Sequence, residues 1–174
     1  MKKIALGCTL LLLGSQAFAS DGEIKFTGEI SSTTCTINGG TKDINVALPK
    51  VAAAALTNVA DKAGHTKFSI ALTNCTPASG SVTTYFESGP NIDAETGNLK
   101  NTDLSGAANV QLGLENMDQT RIDLSKASGS QGAEVVAIDT AGNATLSYNA
   151  FYVATGAVTP GPVTSSVMYS MDYQ

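Results

Sequence analysis

Cys35, Cys75, His65 and a scatter of acidic side chains are the residues of this 174-residue chain whose types could do chemistry. Nucleophilic catalysis needs an imidazole within reach of both an acid and a hydroxyl or thiol. The single histidine, His65, stands between Gly64 and Thr66 in what reads as a loop, and no serine or cysteine motif completes it. Asp93, Glu95, Asp103, Glu115, Asp118 and Asp123 lack the Asp-x-Asn-x-Asp run with a closing glutamate that wraps calcium, and read as residues that keep loops wet. Zinc or copper would need more nitrogen and sulfur ligands than one histidine and a cysteine pair supply. "GSQG" at Gly129 to Gly132 lacks the strand-serine-helix setting of a hydrolase elbow, and no glycine loop that could cradle a phosphate follows a strand. The expectation is a protein with no enzyme activity, no metal and no cofactor.

The first residues, "MKKIALGCTLLLLGSQAFAS", carry two lysines, an apolar run from Ile4 to Leu13 and an Ala17-Phe18-Ala19 cleavage pattern. They predict a signal peptide over 1–19, with Cys8 one more apolar-run residue and no membrane anchor, because the run is too short to span a bilayer. Removal of Lys2 and Lys3 leaves 8 basic against 15 acidic residues, a net charge of −7. An acidic surface with few aromatics argues against nucleic acid and against anionic lipid as partners. Cys35 and Cys75 remain, an even number in an exported chain, and the simple inference is one disulfide.

Short apolar runs alternate with turn clusters, which predicts an all-β sandwich or barrel in a single domain. Candidate strands are "EIKFTGEI", "TCTI", "INVAL", "TKFSIALTNC", "SVTTYFES", "NVQLGLEN", "RIDL", "TLSYNAFYVAT" and "SSVMYSMDYQ". Turns are expected at "NGG", "TPASG", "SGSQG", "TAGN" and "TPGP". The alanines of "LPKVAAAALTN" favour one short helix or helical turn crossing between sheets.

The two ends raise the functional question. In "DGEIKFTGEI" Ile24, Phe26, Gly28 and Ile30 fall on one face and Glu23, Lys25, Thr27 and Glu29 on the other. At the far end Val167, Tyr169, Met171 and Tyr173 alternate with Ser166, Met168, Ser170 and Asp172 up to Gln174, leaving nothing to cover that last edge. The first strand either fills the place within its own domain or joins another sheet.

Several of these features together resemble a family: "IKFTGEI" ahead of Cys35 in "TTCTI", Cys75 in "IALTNCT", "ATGAVTPGPV" at Ala154 to Val163, and a closing "YSMDYQ" with Tyr173 penultimate. The chain resembles the major subunits of type 1-type fimbriae assembled by the chaperone-usher route. The resemblance implies an immunoglobulin-like sandwich lacking its last strand, with 20–34 as an N-terminal donor-strand arm and 35–174 as the pilin domain. It implies that Ile24, Phe26, Gly28 and Ile30 enter a neighbouring subunit's groove. The C-terminal strand, Val167, Tyr169, Met171, Tyr173 and Gln174, would meet first a periplasmic chaperone and then that arm, with exchange at an outer-membrane usher. A shaft or a minor subunit both remain open, as does the competing class, a self-contained secreted β-sandwich that binds a ligand or carbohydrate through its loops.

Overall fold

The computed structural model describes Glu23, Lys25, Thr27 and residues 32–174. The chain divides into two compact units, Met1–Ile30 and Ser31–Gln174. Of the first, Glu23, Lys25 and Thr27 are exposed, and the fold below is that of the second. The signal peptide with Cys8, and Ile24, Phe26, Gly28 and Ile30, lie outside the described residues.

Nine strands run in the order β1 Thr34–Ile37, β2 Lys62–Thr76, β3 Ser81–Phe86, β4 Leu99–Lys100, β5 Val110–Asn116, β6 Arg121–Ile122, β7 Val136–Ala137, β8 Ala144–Ala154 and β9 Tyr169–Tyr173. Every pairing is antiparallel. One sheet has the order β1-β2-β8-β5-β4, with β6 also on β5, and the other the order β7-β3-β9. Period-two alternation decides which side chains of the long strands face the core. Ile70 and Leu72 of β2, Leu146 and Tyr148 of β8, and Leu112 and Leu114 of β5 meet Val82 and Phe86 of β3 in one buried cluster. Tyr148 is fully buried and joins the sheets, its Oη donating to Thr84 Oγ1 at 2.9 Å and its ring meeting Phe86 edge-on at 5.6 Å. The result is the expected two-sheet sandwich.

The first sheet is finished on both faces at β5. All of β5 is buried. On the face away from the core, Gln111 accepts from Thr96 Oγ1 and Asn98 Nδ2 and donates to Asp93. Gly113 leaves room for the Phe151 ring, which an added Cβ would meet at 2.4 Å. Glu115, 1 % exposed, lies 3.4 Å from Lys62 Nζ and 3.6 Å from His65 Nε2. Two expectations are corrected here. His65 is not in a loop: Gly64 and His65 form a bulge within β2, and the imidazole stacks on Phe151 at 4.9 Å. Glu115 does not keep a loop wet, because it is buried mid-sheet. By contrast Asp93, Asp103, Asp118 and Asp123 do sit in turns, each accepting the backbone N–H two residues on.

Other expectations fail locally. "INVAL" alternates as a strand should, yet residues 44–48 carry no ladder among the described residues. Only Arg121–Ile122 of "RIDL" pairs, residues 165–168 precede β9 without strand assignment, and the two-residue strands β4 and β7 have no periodicity to announce them. The helical turn is a single 3-10 turn at Ala53–Ala55, followed by buried Leu56.

Cys35 and Cys75 are joined as a disulfide across β1 and β2, closing a separation of 40 residues. Chain entropy for a loop of that length gives about 4 kcal/mol. Reduction should therefore lower the guanidinium unfolding midpoint by the equivalent of about 2–4 kcal/mol; an unchanged midpoint would remove the bond's structural role.

Candidate functional site: a groove along the last strand

The C-terminal segment uses its hydrogen bonds on one side only. Gln174 and Ser81 exchange both backbone bonds, at 2.8 and 2.9 Å, and Glu87 N–H donates to Met168 O at 2.8 Å. In an antiparallel ladder such bonds alternate along each strand, so Ser170 and Asp172 also turn their backbone groups to β3. Upstream the same parity continues. Pro162 O accepts from Ala107 N, Thr164 O from Thr102 N, and Ser166 O from Asn91 Nδ2. The odd-numbered residues from Val163 to Tyr173 therefore point their N–H and C=O groups the other way, and none has a backbone partner among the described residues.

The extended segment 42–48 runs opposite that edge. Ile44, Val46 and Leu48 are half-buried and pack on the core, whereas Asp43, Asn45 and Ala47 are exposed. Tyr169 joins the two walls, its Oη donating to Lys42 O at 2.6 Å. Burial, with the Asp43 carboxylate adding to it, pushes the Tyr169 hydroxyl above the usual tyrosine range, so it is a protonated donor at neutral pH. In extended chain the carbonyls of Ile44, Val46 and Leu48 face the same way as that of Lys42. The two segments thus border one floor of Ile44, Val46, Leu48, Val163, Val167, Tyr169, Met171 and Tyr173, joined across it by the Tyr169–Lys42 bond.

Beyond Leu48 and Val163 the floor opens into a cleft of about 480 Å³ lined by Val51, Leu56, Tyr152, Val158, Pro160 and Val163. Tyr152 reaches it because Gly64 has no Cβ, which would stand 2.9 Å from the ring. This is an apolar groove with polar edges. Among the described residues no group of three or more His, Cys, Asp and Glu side chains could hold a metal.

Of the residues singled out in the sequence, Val167, Tyr169, Met171 and Tyr173 lie together on the core side of the last strand, half-buried, and Gln174 is exposed with its backbone clamped to Ser81. Ile24, Phe26, Gly28 and Ile30 cannot be placed among them. The opposite wall, Ile44, Val46 and Leu48, reads in the sequence only as one more strand. Its signal is present in the alternation and in Pro49, which suits a sheet edge.

The comparisons with known proteins agree with one another. The family model for type-1 fimbrial protein, A (FimA), matches residues 48–174. The chain belongs to the type-1 fimbrial protein family. It is 43% identical to the F17 fimbrial protein of Escherichia coli over 100% of both chains. It is 44% identical to the major fimbrial subunit SMF-1 of Stenotrophomonas maltophilia (strain K279a) over 90% of this chain and 95% of that one. The crystal structure of the P pilus rod subunit PapA superposes with a TM-score of 0.60 at 19% identity, covering 80% of this chain and 99% of that one, a likeness of fold. In this fimbrial protein the matched region takes in the cleft, eight of the nine strands and the whole C-terminal edge.

Charge placed in the groove floor should be costly. Val46→Asp should lower unfolding stability by about 2 kcal/mol. Ala47→Asp, on the exposed side of the same segment, should stay within about 0.5 kcal/mol of the parent protein in denaturant unfolding. Equal effects would contradict the assignment of faces.

Proposed function

We propose that the chain is a non-catalytic structural subunit of a surface fimbria, polymerising head to tail by donation of the arm at 20–34 into the groove of the next copy. The observation that carries this reading is the odd-numbered backbone row from Val163 to Tyr173, which has no backbone partner among the described residues and borders an apolar floor shared with Ile44, Val46 and Leu48. Peptide groups at a buried edge need hydrogen-bond partners, and one added strand supplies them on both sides at once. Fimbrial relatives spanning the whole chain favour this role over a self-contained ligand-binding sandwich.

The arm has the matching chemistry. Ile24, Phe26 and Ile30 share a face that suits the floor, and each contributes about 1.5–3 kcal/mol on full burial. Each backbone bond adds about 1 kcal/mol, against an ordering cost of about 1–2 kcal/mol per residue. Gly28, on the same face, allows close approach of the arm to the groove. Before assembly the same edge would accept a strand from a periplasmic chaperone, which the arm replaces at an outer-membrane usher; strand addition between chaperone and pilin is an established mode of recognition of this form. The acidic composition and the signal-like first 19 residues fit export through the periplasm to the cell surface.

Deleting 20–31 should leave chaperone binding intact and stop filament growth, as seen by electron microscopy of surface filaments and by chaperone co-purification. A truncated chain that still forms filaments would overturn the proposal. Gly28→Leu should slow polymerisation at least several-fold with chaperone binding unchanged; normal growth would remove Gly28 from the mechanism.

A further inference from the structure

The wall at 42–48 is held differently from the wall at β9. The β9 side is bonded along its length to β3 and to the loops at 87–107. The segment 42–48 is anchored before its start, where Asn38 Oδ1 accepts Ala71 N–H at 2.8 Å and Thr41 N–H donates to Asn38 O. After its end comes the turn at Ala53–Ala55. Between those anchors, the one hydrogen bond that ties it to the rest of the fold, among the described residues, is that from Tyr169 Oη to Lys42 O. Tyr173 lies on the same face of the same strand, and its hydroxyl makes no such bond among the described residues.

We propose that Tyr169 is a positioning residue for strand uptake: its hydroxyl is a strut that holds the 42–48 wall at the spacing one inserted strand requires. The inference rests on the strand-acceptor reading above. A peptide carbonyl has two lone pairs, so Lys42 O can keep the Tyr169 hydroxyl while it accepts an N–H from the incoming arm. The strut therefore need not break on insertion. It fixes a wall that is otherwise located by apolar contacts, which are non-directional and leave its distance from β9 loosely set.

The test is amide hydrogen exchange in filaments of the full chain, comparing the wild type with Tyr169→Phe and Tyr85→Phe. Tyr85→Phe removes a hydroxyl bonded to Ser88 on the exposed side of β3, away from the groove. In Tyr169→Phe, exchange within 43–48, at the groove-facing amides of Ile44, Val46 and Leu48, should speed about two- to tenfold, with the amides of β2, β5 and β8 unchanged. Tyr85→Phe should leave 43–48 at wild-type rates. Replacing Tyr169 by 4-aminophenylalanine restores a donor at the ring tip and should return 43–48 to wild-type protection. If Tyr169→Phe filaments do not grow, the same comparison is made on the full chain complemented with a synthetic peptide of residues 20–34. Wild-type rates at 43–48 in Tyr169→Phe, or an acceleration spread equally over β2, β5 and β8, would overturn the strut and leave the acceptor reading standing. An unprotected 43–48 wall in wild-type filaments would overturn both.

Discussion

A peptide group withdrawn from water must find a hydrogen-bond partner, and in this fold two half-buried segments border one apolar floor with backbone groups that make no bond among the described residues. The odd-numbered residues from Val163 to Tyr173 form one side, and the carbonyls of Ile44, Val46 and Leu48, in line with the Lys42 carbonyl that Tyr169 holds, the other. Beneath lies apolar surface continuous with the core through Met171, Tyr173, Ile44 and Val46. An extended edge over such a floor is unstable alone, because its backbone attracts any strand that fits and its floor is half wet. The shape and chemistry of what must complete the domain follow from that one constraint: extended, about seven or more residues long to match 42–48, apolar on alternate positions and polar on the others.

The rest of the molecule gives this groove its precision. In the first sheet β5 is covered on both faces, with Phe151 over Gly113 and Lys62 and His65 over Glu115, so it presents a fixed surface to the second sheet. Tyr148 and Phe86 lock the two sheets together at their centre. Gln131 finishes the end of β3, accepting Phe86 N–H at 3.0 Å and donating to Phe86 O at 2.7 Å. The Cys35–Cys75 bond closes the loop that contains the 42–48 wall and so limits how far that wall can wander. A first sheet of order β1-β2-β8-β5-β4 beside a second of only three strands, β7-β3-β9, leaves β9 as an open edge among the described residues.

The long strands are legible because burial on one face writes period two into the sequence, as in "TKFSIALTNC" and "TLSYNAFYVAT". The disulfide follows from cysteine count and expected export. "INVAL" is legible as an extended segment but not as half of a groove, since alternation reports which face is buried and is silent about which edge is paired. Leu99–Lys100 and Val136–Ala137 are strands only because tertiary packing lays them beside β5 and β3. Gly64 reads as a loop signal, although in a strand a lone glycine also marks a bulge, and the bulge is what puts His65 on Phe151. Glu115 is hidden for a similar reason: the residues that bury it come from β2 and β8, far from it in sequence.

The central claim is that the arm of one copy occupies the groove of another, and site-directed disulfide trapping between two different chains tests it most directly. One chain carries Phe26→Cys alone and the other Met171→Cys alone, and the two are co-assembled under oxidising conditions. The expected result is a covalent heterodimer on a non-reducing gel, formed in the mixture and absent when either chain is assembled by itself. The doubly substituted chain should run as a ladder of cross-linked multimers. A doubly substituted chain that cross-links only within itself, with no heterodimer in the mixture, would show that the arm closes its own domain and would contradict the claim.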